Sequence, residues 1–246
     1  MAVSLYPVPH APVLWIHELK MLVLADLHIG IENELKEHGL QVPSQTLKMK
    51  KKLFHLAEEY KPETIIILGD IKHSIPSTPF LEKKELYNFL EGLLDFASVH
   101  VIPGNHDGSI KHFIPDDIQL HSSKGFQINS IGFVHGHRWP KRSIMNGEFL
   151  FCGHSHPTVM LSDRLNYQNF EPCWVKTSLL KENMKKRYDH FNPDLKVVVF
   201  PAFNLLCGGS AVNKDGLVGP LKNIVDLANA DLFLHDGTNI DKAKRI

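Results

Sequence analysis

Five short polar clusters carry aspartate, asparagine and histidine side chains, and each cluster directly follows an apolar run. The clusters are Asp26-Leu27-His28, Gly69-Asp70, Gly104-Asn105-His106-Asp107, His135-Gly136-His137 and Gly153-His154-Ser155-His156. Carboxylate oxygens and imidazole nitrogens without thiolates form a ligand set that suits Mn, Fe, Zn, Co or Ni ions. A carboxylate shared by two ions ~3.5–4 Å apart favours in-line displacement at a phosphate. The clusters therefore predict metal-assisted phosphate-ester chemistry.

Each cluster taken alone also has an ordinary structural explanation. Asp-x-His can be a turn aspartate beside a surface histidine, and Gly-Asn-His-Asp can be a plain turn because Gly and Asn tolerate positive φ. The histidine pairs alternate about one residue, which in extended backbone would place both side chains on one side. Turns do not explain why such groups follow five strands, whereas a shared site at the carboxyl ends of a sheet does.

The elements that must position these clusters begin as a strand and helix alternation. Buried strands are predicted at Met21–Ala25, Thr64–Leu68, Val99–Ile102 and Ile131–Val134. Helices are predicted between the first three strands, over 44–60 with Ser44 as N-cap and over 80–96, and the apolar faces of these helices include Leu47 and Leu81. Strands that alternate with helices predict a parallel sheet.

The second half of the chain has short strand candidates at closer spacing. They are 118–120, 126–128, 131–134, 149–152, 158–161, 173–177 and 197–200. Residues 181–187 are predicted as a charged helix or loop. Because no linker-like tract divides the halves, we expect one mixed-sheet domain over residues 1–246.

Composition restricts the class of protein. The chain has 246 residues, of which 43% are hydrophobic and 22% charged, as in ordinary globular domains. The net charge is +0, so any contact with a nucleic acid must be local. The N-terminus lacks a signal-peptide pattern and no apolar stretch approaches the ~20 residues of a membrane span. We therefore expect a cytoplasmic protein with no membrane contact.

The ordered motifs D-x-H, G-D, G-N-H-D, H-G-H and G-H-x-H, from Asp26 to His156, resemble those of the calcineurin-like metallophosphoesterase superfamily. The stretch GDIKHSIPS at 69–77 is similar to that of SbcD-type DNA-repair nucleases. The segments VHGHRWP at 134–140 and PAFNLLCGGSAVN at 201–213 resemble archaeal SbcD-related, ICC-like phosphoesterases. The resemblance implies an α/β fold, a four-layer α-β-β-α sandwich with two packed mixed sheets.

The resemblance also implies roles for individual residues. Two divalent ions are implied, Mn²⁺ in the first place and Fe, Zn, Co or Ni as alternatives, and His106 would orient the phosphate and protonate the leaving oxygen. Asp70 would bridge the ions. The ligands of the first metal would be Asp26, His28 and His156, and those of the second Asn105, His135 and His154.

His73 departs from the phosphatase branch of the superfamily, in which an Asp commonly stands at that position and partners the catalytic histidine. The nuclease resemblance implies that His73 contacts the substrate phosphate, and Asp107 is a candidate to fix His106. His137 is either an outer-shell support or a packing residue. The cations Lys72, Lys111 and Arg138 either balance phosphate charge or are simply solvated.

The predicted function is a two-metal phosphodiesterase that uses a metal-bridging hydroxide to cut a nucleic acid or nucleotide. The additional DNA-capping and partner-binding parts of the nucleases are not evident in the sequence, and protein partners are undefined. One alternative is a phosphomonoesterase. Another is a non-catalytic metal-binding scaffold, since the fold also resembles a vesicle-coat subunit; a scaffold would be expected to have lost His106 or several ligands.

Overall fold

The fold is built from fifteen strands and four α-helices over residues 4–243, which a computed structural model describes. The helices are α1 (Ile31–Glu37), α2 (Thr46–Tyr60), α3 (Phe80–Leu94) and α4 (Lys181–Lys185). The strands are β1 (Leu5–Pro7), β2 (Val13–Ile16), β3 (Met21–Leu24), β4 (Thr64–Ile67), β5 (Ser98–Val101), β6 (Gln119–Leu120), β7 (Phe126–Ile128), β8 (Ile131–Val134), β9 (Phe149–Cys152), β10 (Pro157–Ser162), β11 (Gln168–Ser178), β12 (Lys196–Val199), β13 (Ser210–Ala211), β14 (Asp231–Leu234) and β15 (Asn239–Lys242).

The first sheet has the order β1-β2-β3-β4-β5-β6. Strands β3 to β6 are parallel, as the strand and helix alternation predicts, while β1 and β2 extend the sheet in antiparallel fashion. The polar clusters that follow β3, β4 and β5 therefore leave the sheet at one edge. Helices α2 and α3 provide the connections between the parallel strands.

The second sheet has the order β13-β10-β11-β12-β9-β8-β7, and β14 and β15 are attached through β11. Strands β8, β9 and β12 are parallel, and the remaining strands of the path include antiparallel pairs, so this sheet is mixed. The last two polar clusters follow β8 and β9 at adjacent positions. In both sheets, the loops that carry the polar clusters thus follow neighbouring parallel strands.

Burial on both faces of the sheets creates the layers. Along β3, Leu22 and Leu24 pack with α2 and α3, whereas Met21 and Val23 pack with Phe133 and Phe151 of the second sheet. The outer face of the second sheet is covered by α4 and by 3-10 helices at Arg142–Asn146 and Pro220–Asn223. The predicted four-layer α-β-β-α sandwich is confirmed, and its fourth layer consists of short helical turns.

Several local predictions were wrong. Ser44 is not the N-cap of α2: Gln45 occupies that position, and the Ser44 hydroxyl accepts a hydrogen bond from the Thr46 N–H. Leu47 and Leu81 lie on the exposed side of the first helical turn, whose buried side is taken by the neighbouring residues Thr46 and Glu82. The strand predicted at 118–120 is present as β6, which pairs with β5 in the first sheet.

Candidate metal centre

The five polar clusters converge, and left-handed backbone brings most of their side chains inward. Asp26, His28, Asp70, His154 and His156 all have positive φ, between 39° and 69°. Such backbone costs about 1–3 kcal/mol per non-glycine residue and persists only where the surroundings enforce it. Enforcement comes from main-chain bonds between the loops, such as His28 N–H to Asp70 O at 2.8 Å. The site is therefore held in shape by the backbone of adjacent loops.

The motif glycines permit this close approach. A Cβ on Gly104 would lie 2.1 Å from Asp70 Oδ1, and a Cβ on Gly69 would lie 2.5 Å from the ring of His135. Gly69 also has φ of +80°, which favours glycine. These glycines are needed because functional side chains occupy the space that a Cβ would fill.

Two groups of potential ligand atoms share one carboxylate. The first contains Asp26, His28, Asp70 and His156, and the second contains Asp70, His135 and His154. Within each group the ligand atoms all lie within 4.8 Å of one another. Asp70 is the shared member, and its carboxylate is 3.6 Å from His28 Nε2 and 3.3 Å from His135 Nε2. The structure thus brings together six of the seven residues predicted to bind metal.

Asn105, the seventh, lies at the exposed end of the second group. Its Oδ1 is 3.2 Å from His135 Nε2, so the amide oxygen reaches the same space as the imidazole nitrogen. The two histidines of the last cluster separate: His154 joins the second group and His156 the first. This division is the one that the family resemblance implies. Extended backbone would place both rings on one side, but both residues have left-handed backbone.

The candidate ligands fit divalent cations. Among the described residues, Nε2 of His28 and Nε2 of His156 are buried without a hydrogen-bond partner, which is costly unless a cation takes the lone pair. Their Nδ1 atoms are engaged: that of His156 donates to Gly208 O at 3.0 Å and that of His28 lies 3.1 Å from His73 Nδ1. Nδ1 of His135, another candidate ligand, donates to Leu68 O at 2.7 Å. Metal-ligating histidines are held in this way.

The charges of the group agree with a cation site. Burial raises the pKa of Asp70, but the hydrogen bond and charge of His135 outweigh burial and hold this pKa well below its usual range. Burial lowers the pKa of His28 to about 3 and that of His154 to about 4. Asp70 is therefore an ionised carboxylate and these two imidazoles are neutral, which are the forms that ligate metal ions. Burial lowers the pKa of His135, but Asp70 and Asp26 outweigh burial and raise it to about 9, so a cation that binds there displaces a proton.

His106 lies at the edge of the first group, with its ring centroid 4.8 Å from that of His28. Its main-chain N–H donates to Asp70 Oδ1 at 2.8 Å, and its Nδ1 donates to the main-chain carbonyl of His73 at 2.6 Å. The His73 carbonyl thus accepts the hydrogen bond that the Asp of the phosphatase branch would accept from the catalytic histidine. The ring is left with Nε2 for chemistry.

Asp107 does not fix the His106 ring. Its carboxylate is buried and accepts the main-chain N–H groups of Ile71, Lys72 and Gly104 at 2.8–3.2 Å. Burial raises its pKa to about 6. Asp107 instead ties together the loops that follow β4 and β5.

The loop that carries His73 is held by residues whose roles the sequence reasoning missed. The buried Glu82 accepts the main-chain N–H groups of His73 and Ser74 at 3.1 and 3.0 Å. The buried Lys72 donates to Ser74 O at 2.6 Å, so this cation does not face a substrate. The His73 Nε2 lies 2.5 Å from Glu34 Oε2. In the sequence, a charged residue on a helix is expected to face solvent. For this reason neither Glu34 nor Glu82 is predicted to support the site.

The chain segment after β12 also completes the site. Buried Asn204 donates from Nδ2 to Leu27 O at 2.9 Å, which fixes the first cluster. Cys207 Sγ lies within 4.8 Å of ligand nitrogens of His28 and His156. Burial raises the pKa of this thiol, so it is uncharged. The segment 201–213 had been noted by its resemblance alone, and only the three-dimensional contacts reveal its place beside the metal ligands.

The other predicted residues lie around this centre. The His137 ring centroid is 5.1 Å from that of His135, and its Nδ1 is buried without a hydrogen-bond partner among the described residues. Burial lowers the pKa of His137 to about 4. Lys111 and Arg138 are exposed. His137 therefore packs against a candidate ligand and makes no ligand contact of its own.

Comparison with known families agrees with this geometry. Residues 19–169, more than half of the chain, match the model of the calcineurin-like phosphoesterase superfamily domain. The chain belongs to this superfamily. Accordingly, it is a metal-dependent phosphoester hydrolase, and the scaffold alternative is not supported.

Solved structures share the superfamily fold. The nuclease MPE of Pseudomonas putida is 19% identical, with a TM-score of 0.58 and coverage of 96% of this chain and 98% of that one. YfcE, a phosphoesterase from E. coli, is 12% identical, with a TM-score of 0.41 and coverage of 90% and 97%. At 19% identity the likeness to the nuclease concerns the fold alone. Among residues 4–243, no helix is long and apolar enough to cross a membrane.

Proposed function

We propose that this superfamily member is a two-metal phosphodiesterase that acts on nucleic acid or nucleotides as a single domain. The observation that carries the proposal is the position of Asp70, which belongs to both groups of potential metal ligands. A carboxylate common to two ligand sets favours two ions at the short spacing that in-line phosphoryl displacement uses. Asp26, His28 and His156 would complete one site.

Asn105, His135 and His154 would complete the second site. When bound, the two divalent cations would supply Lewis acidity to the phosphate oxygens and activate a water as the nucleophile. The donor set of oxygen and imidazole nitrogen suits Mn²⁺, our first choice, as well as Fe, Co, Ni or Zn. The buried carboxylates and the carbonyl-held imidazoles fix the positions of the donors before substrate arrives.

His106 is the residue that we place on the leaving-group oxygen, with His73 beside it at a ring-centroid distance of 5.5 Å. Because His106 Nδ1 donates to His73 O, the proton destined for the leaving group is carried by Nε2. After donation the ring remains as the Nδ1–H tautomer that the carbonyl already holds. General acids of this kind contribute roughly 10²–10⁴-fold to the rate.

A diester substrate is favoured by the shortage of fixed cations at the motif loops. Monoester dianions carry an extra negative charge that a bidentate guanidinium suits. Lys72 is bonded to Ser74 O, and the only arginine next to a motif is the exposed Arg138.

Nucleic acid is favoured by a local basic cavity of about 300 Å³. It is lined by Lys124, Trp139, Lys141, Arg142 and Arg187, of which the four cations are exposed. Trp139 is two residues beyond His137, so their Cα atoms are at most about 7 Å apart. Arg142 is paired with Asp189 at 2.9 Å and Arg187 lies over the Trp139 ring, so Lys124 and Lys141 are the cations of this cavity that would contact the phosphates of a polynucleotide. We include in the proposal a relationship to SbcD-type nucleases, which rests on the sequence resemblance, and a cytoplasmic location.

Phosphate monoesters are the second candidate substrate class, because the metal ligands do not depend on whether the ester carries one or two organic groups. The discriminating experiment is a substrate screen with purified protein and added Mn²⁺. Aryl phosphate monoesters, aryl phosphate diesters, cyclic nucleotides and single- and double-stranded oligonucleotides would be compared. Turnover of diesters and oligonucleotides that Asp70→Asn abolishes supports the proposal, whereas turnover of monoesters alone supports a phosphatase.

A further inference from the structure

Three buried or part-buried candidate ligands hold their non-ligating nitrogen in a hydrogen bond, but one does so differently. His135 and His156 donate from Nδ1 to the main-chain carbonyls of Leu68 and Gly208. His28 instead places Nδ1 3.1 Å from Nδ1 of His73. The support of His28 is therefore a side chain, which must itself have the right tautomer and orientation.

The hydrogen-bond chain determines the proton positions. If Nε2 of His28 binds a cation, its proton is on Nδ1, which donates to His73. His73 then accepts at Nδ1 and carries its proton on Nε2. This nitrogen lies 2.5 Å from Glu34 Oε2, which accepts. Every donor in this series of hydrogen bonds thus has one acceptor, and each of the two imidazoles carries one proton.

We propose that Glu34 and His73 are a positioning pair for the metal ligand His28, an inference that rests on the proposed two-metal function. Both ring nitrogens of His73 are engaged, so its side chain has no donor left for a substrate phosphate. His73 therefore acts through His28 by its side chain and through His106 by its carbonyl. The expectation of a phosphate contact is replaced by a support role.

The local packing presents Glu34 to His73. The N-cap of helix α1 is Gly30, which has φ of +96°, and a Cβ added there would lie 2.3 Å from Glu82 Oε2. Glu82 in turn holds the His73 main chain. The start of α1 is thus pressed against the His73 loop, and Glu34 in the first turn reaches the imidazole. The His73 side chain is 12% exposed and that of Glu34 is 58% exposed.

Because Glu34 is exposed, its effect on metal affinity can be measured apart from its effect on folding stability. An exposed ion pair contributes little to folding, so Glu34→Ala should leave the melting temperature nearly unchanged. Outer-shell partners of ligating histidines typically affect metal affinity by about 10–100-fold. A loss of affinity at one metal site without a loss of stability is therefore the expected signature.

The experiment is a calorimetric titration of metal-free protein with Mn²⁺. We expect Glu34→Ala and His73→Ala each to weaken one of two sites by about tenfold or more, and the double variant to be no worse than His73→Ala. Glu34→Gln should lose less, since its amide oxygen still accepts the bond. Glu37→Ala, an exposed glutamate on the same helix, is the control and should match the parent.

Two results would overturn the inference while the proposed function stands. One is parent-like Mn²⁺ affinity in Glu34→Ala and His73→Ala; in that case a raised KM in His73→Ala would indicate a phosphate contact. The other is an additive loss in the double variant, which would mean that the residues act independently. If the parent binds neither Mn²⁺ nor Fe²⁺, Co²⁺, Ni²⁺ or Zn²⁺, the proposed function fails instead.

Discussion

The imidazole of His106 is held by the main chain of His73, with Nδ1 2.6 Å from the carbonyl oxygen. Where relatives of the phosphatase branch would place a carboxylate side chain, this chain places a backbone acceptor. A carbonyl fixes the tautomer and orientation of the ring as a carboxylate does, but it brings no negative charge. The arrangement makes His106 testable apart from the metal ligands.

Replacement of His106 by Gln should leave both metal sites filled and reduce turnover roughly 10²–10⁴-fold, the range for a lost general acid. Metal content by elemental analysis and kcat for a diester would be measured on the same preparation. Turnover equal to that of the parent would show that His106 is not the acid.

Replacement of Glu82 by Ala should impair His106 indirectly. The N–H groups of His73 and Ser74 would lose their acceptor, so the His73 carbonyl would shift from Nδ1 of His106. A misplacement of about 1 Å can cost about 10²-fold in rate. The loss should be larger for diesters with alkyl leaving groups than for nitrophenyl esters, because poor leaving groups depend more on protonation.

A matched control for this variant is Glu91→Ala, an exposed position on the same helix. Equal losses for good and poor leaving groups in Glu82→Ala would indicate general destabilisation of the loop instead of a misplaced acid. The melting temperature of both variants would be measured to separate folding from orientation.

Replacement of Asp70 by Asn should remove metal binding and activity together, because Asp70 is common to both ligand groups. Asp107→Asn is the contrasting variant: its carboxylate binds three main-chain N–H groups, so stability should fall while metal binding remains. Inductively coupled plasma analysis and thermal melts would distinguish the two. Two tightly bound transition ions in Asp70→Asn would refute the ligand assignment.

Acid should destabilise the fold through His121 and His100. Burial first, then His100 and Lys141, lower the pKa of His121 to about 4, and burial lowers the pKa of His100. His100 Nδ1 lies 2.9 Å from His121 Nε2. The His121 ring stacks on that of Phe126 in the second sheet, with 3.6 Å between the ring centroids. Because the unfolded chain takes up these protons near pH ~6.5 and the folded chain does not, stability falls from that pH toward pH ~4.

Chemical unfolding at a series of pH values would measure this dependence. His121→Gln should show a shallower decline between pH ~6.5 and ~4 than the parent. His190 is exposed, so the stability of His190→Gln should fall with pH as that of the parent does. A His121→Gln profile parallel to that of the parent would assign the acid sensitivity to other groups.

The sequence was sufficient to predict those residues of the site that directly follow an apolar strand. Asp26, Asp70 and the histidines after β8 and β9 follow apolar runs directly, so sheet geometry alone predicts that they meet. Glu34 and Glu82 were missed because each lies in a helical first turn, where acidic residues are ordinary. Their partners are 39 and 8 or 9 residues away, and no local pattern encodes such contacts.

The fold was predictable to a similar degree. Apolar runs located β3, β4 and β8, since both of their faces are buried and the pattern is continuous. β5 was located by Val99, Val101 and the adjacent Ile102, although its Ser98 is exposed and its His100 is half-buried. Strands β1 and β15 and helix α1 were missed because they are short and partly exposed, with no sustained period. The separation of His154 and His156 followed from the family resemblance but not from extended-strand geometry, because both residues have left-handed backbone.

The most direct test of the diesterase assignment is the ratio of kcat/KM for bis(p-nitrophenyl) phosphate to that for p-nitrophenyl phosphate. Both substrates have the same leaving group, and both would be measured with the Mn²⁺-loaded protein. The cation-poor metal centre, in which Lys72 is bonded to Ser74 O, predicts a higher value for the diester. A clear preference for the monoester would contradict the phosphodiesterase proposal and leave a phosphatase.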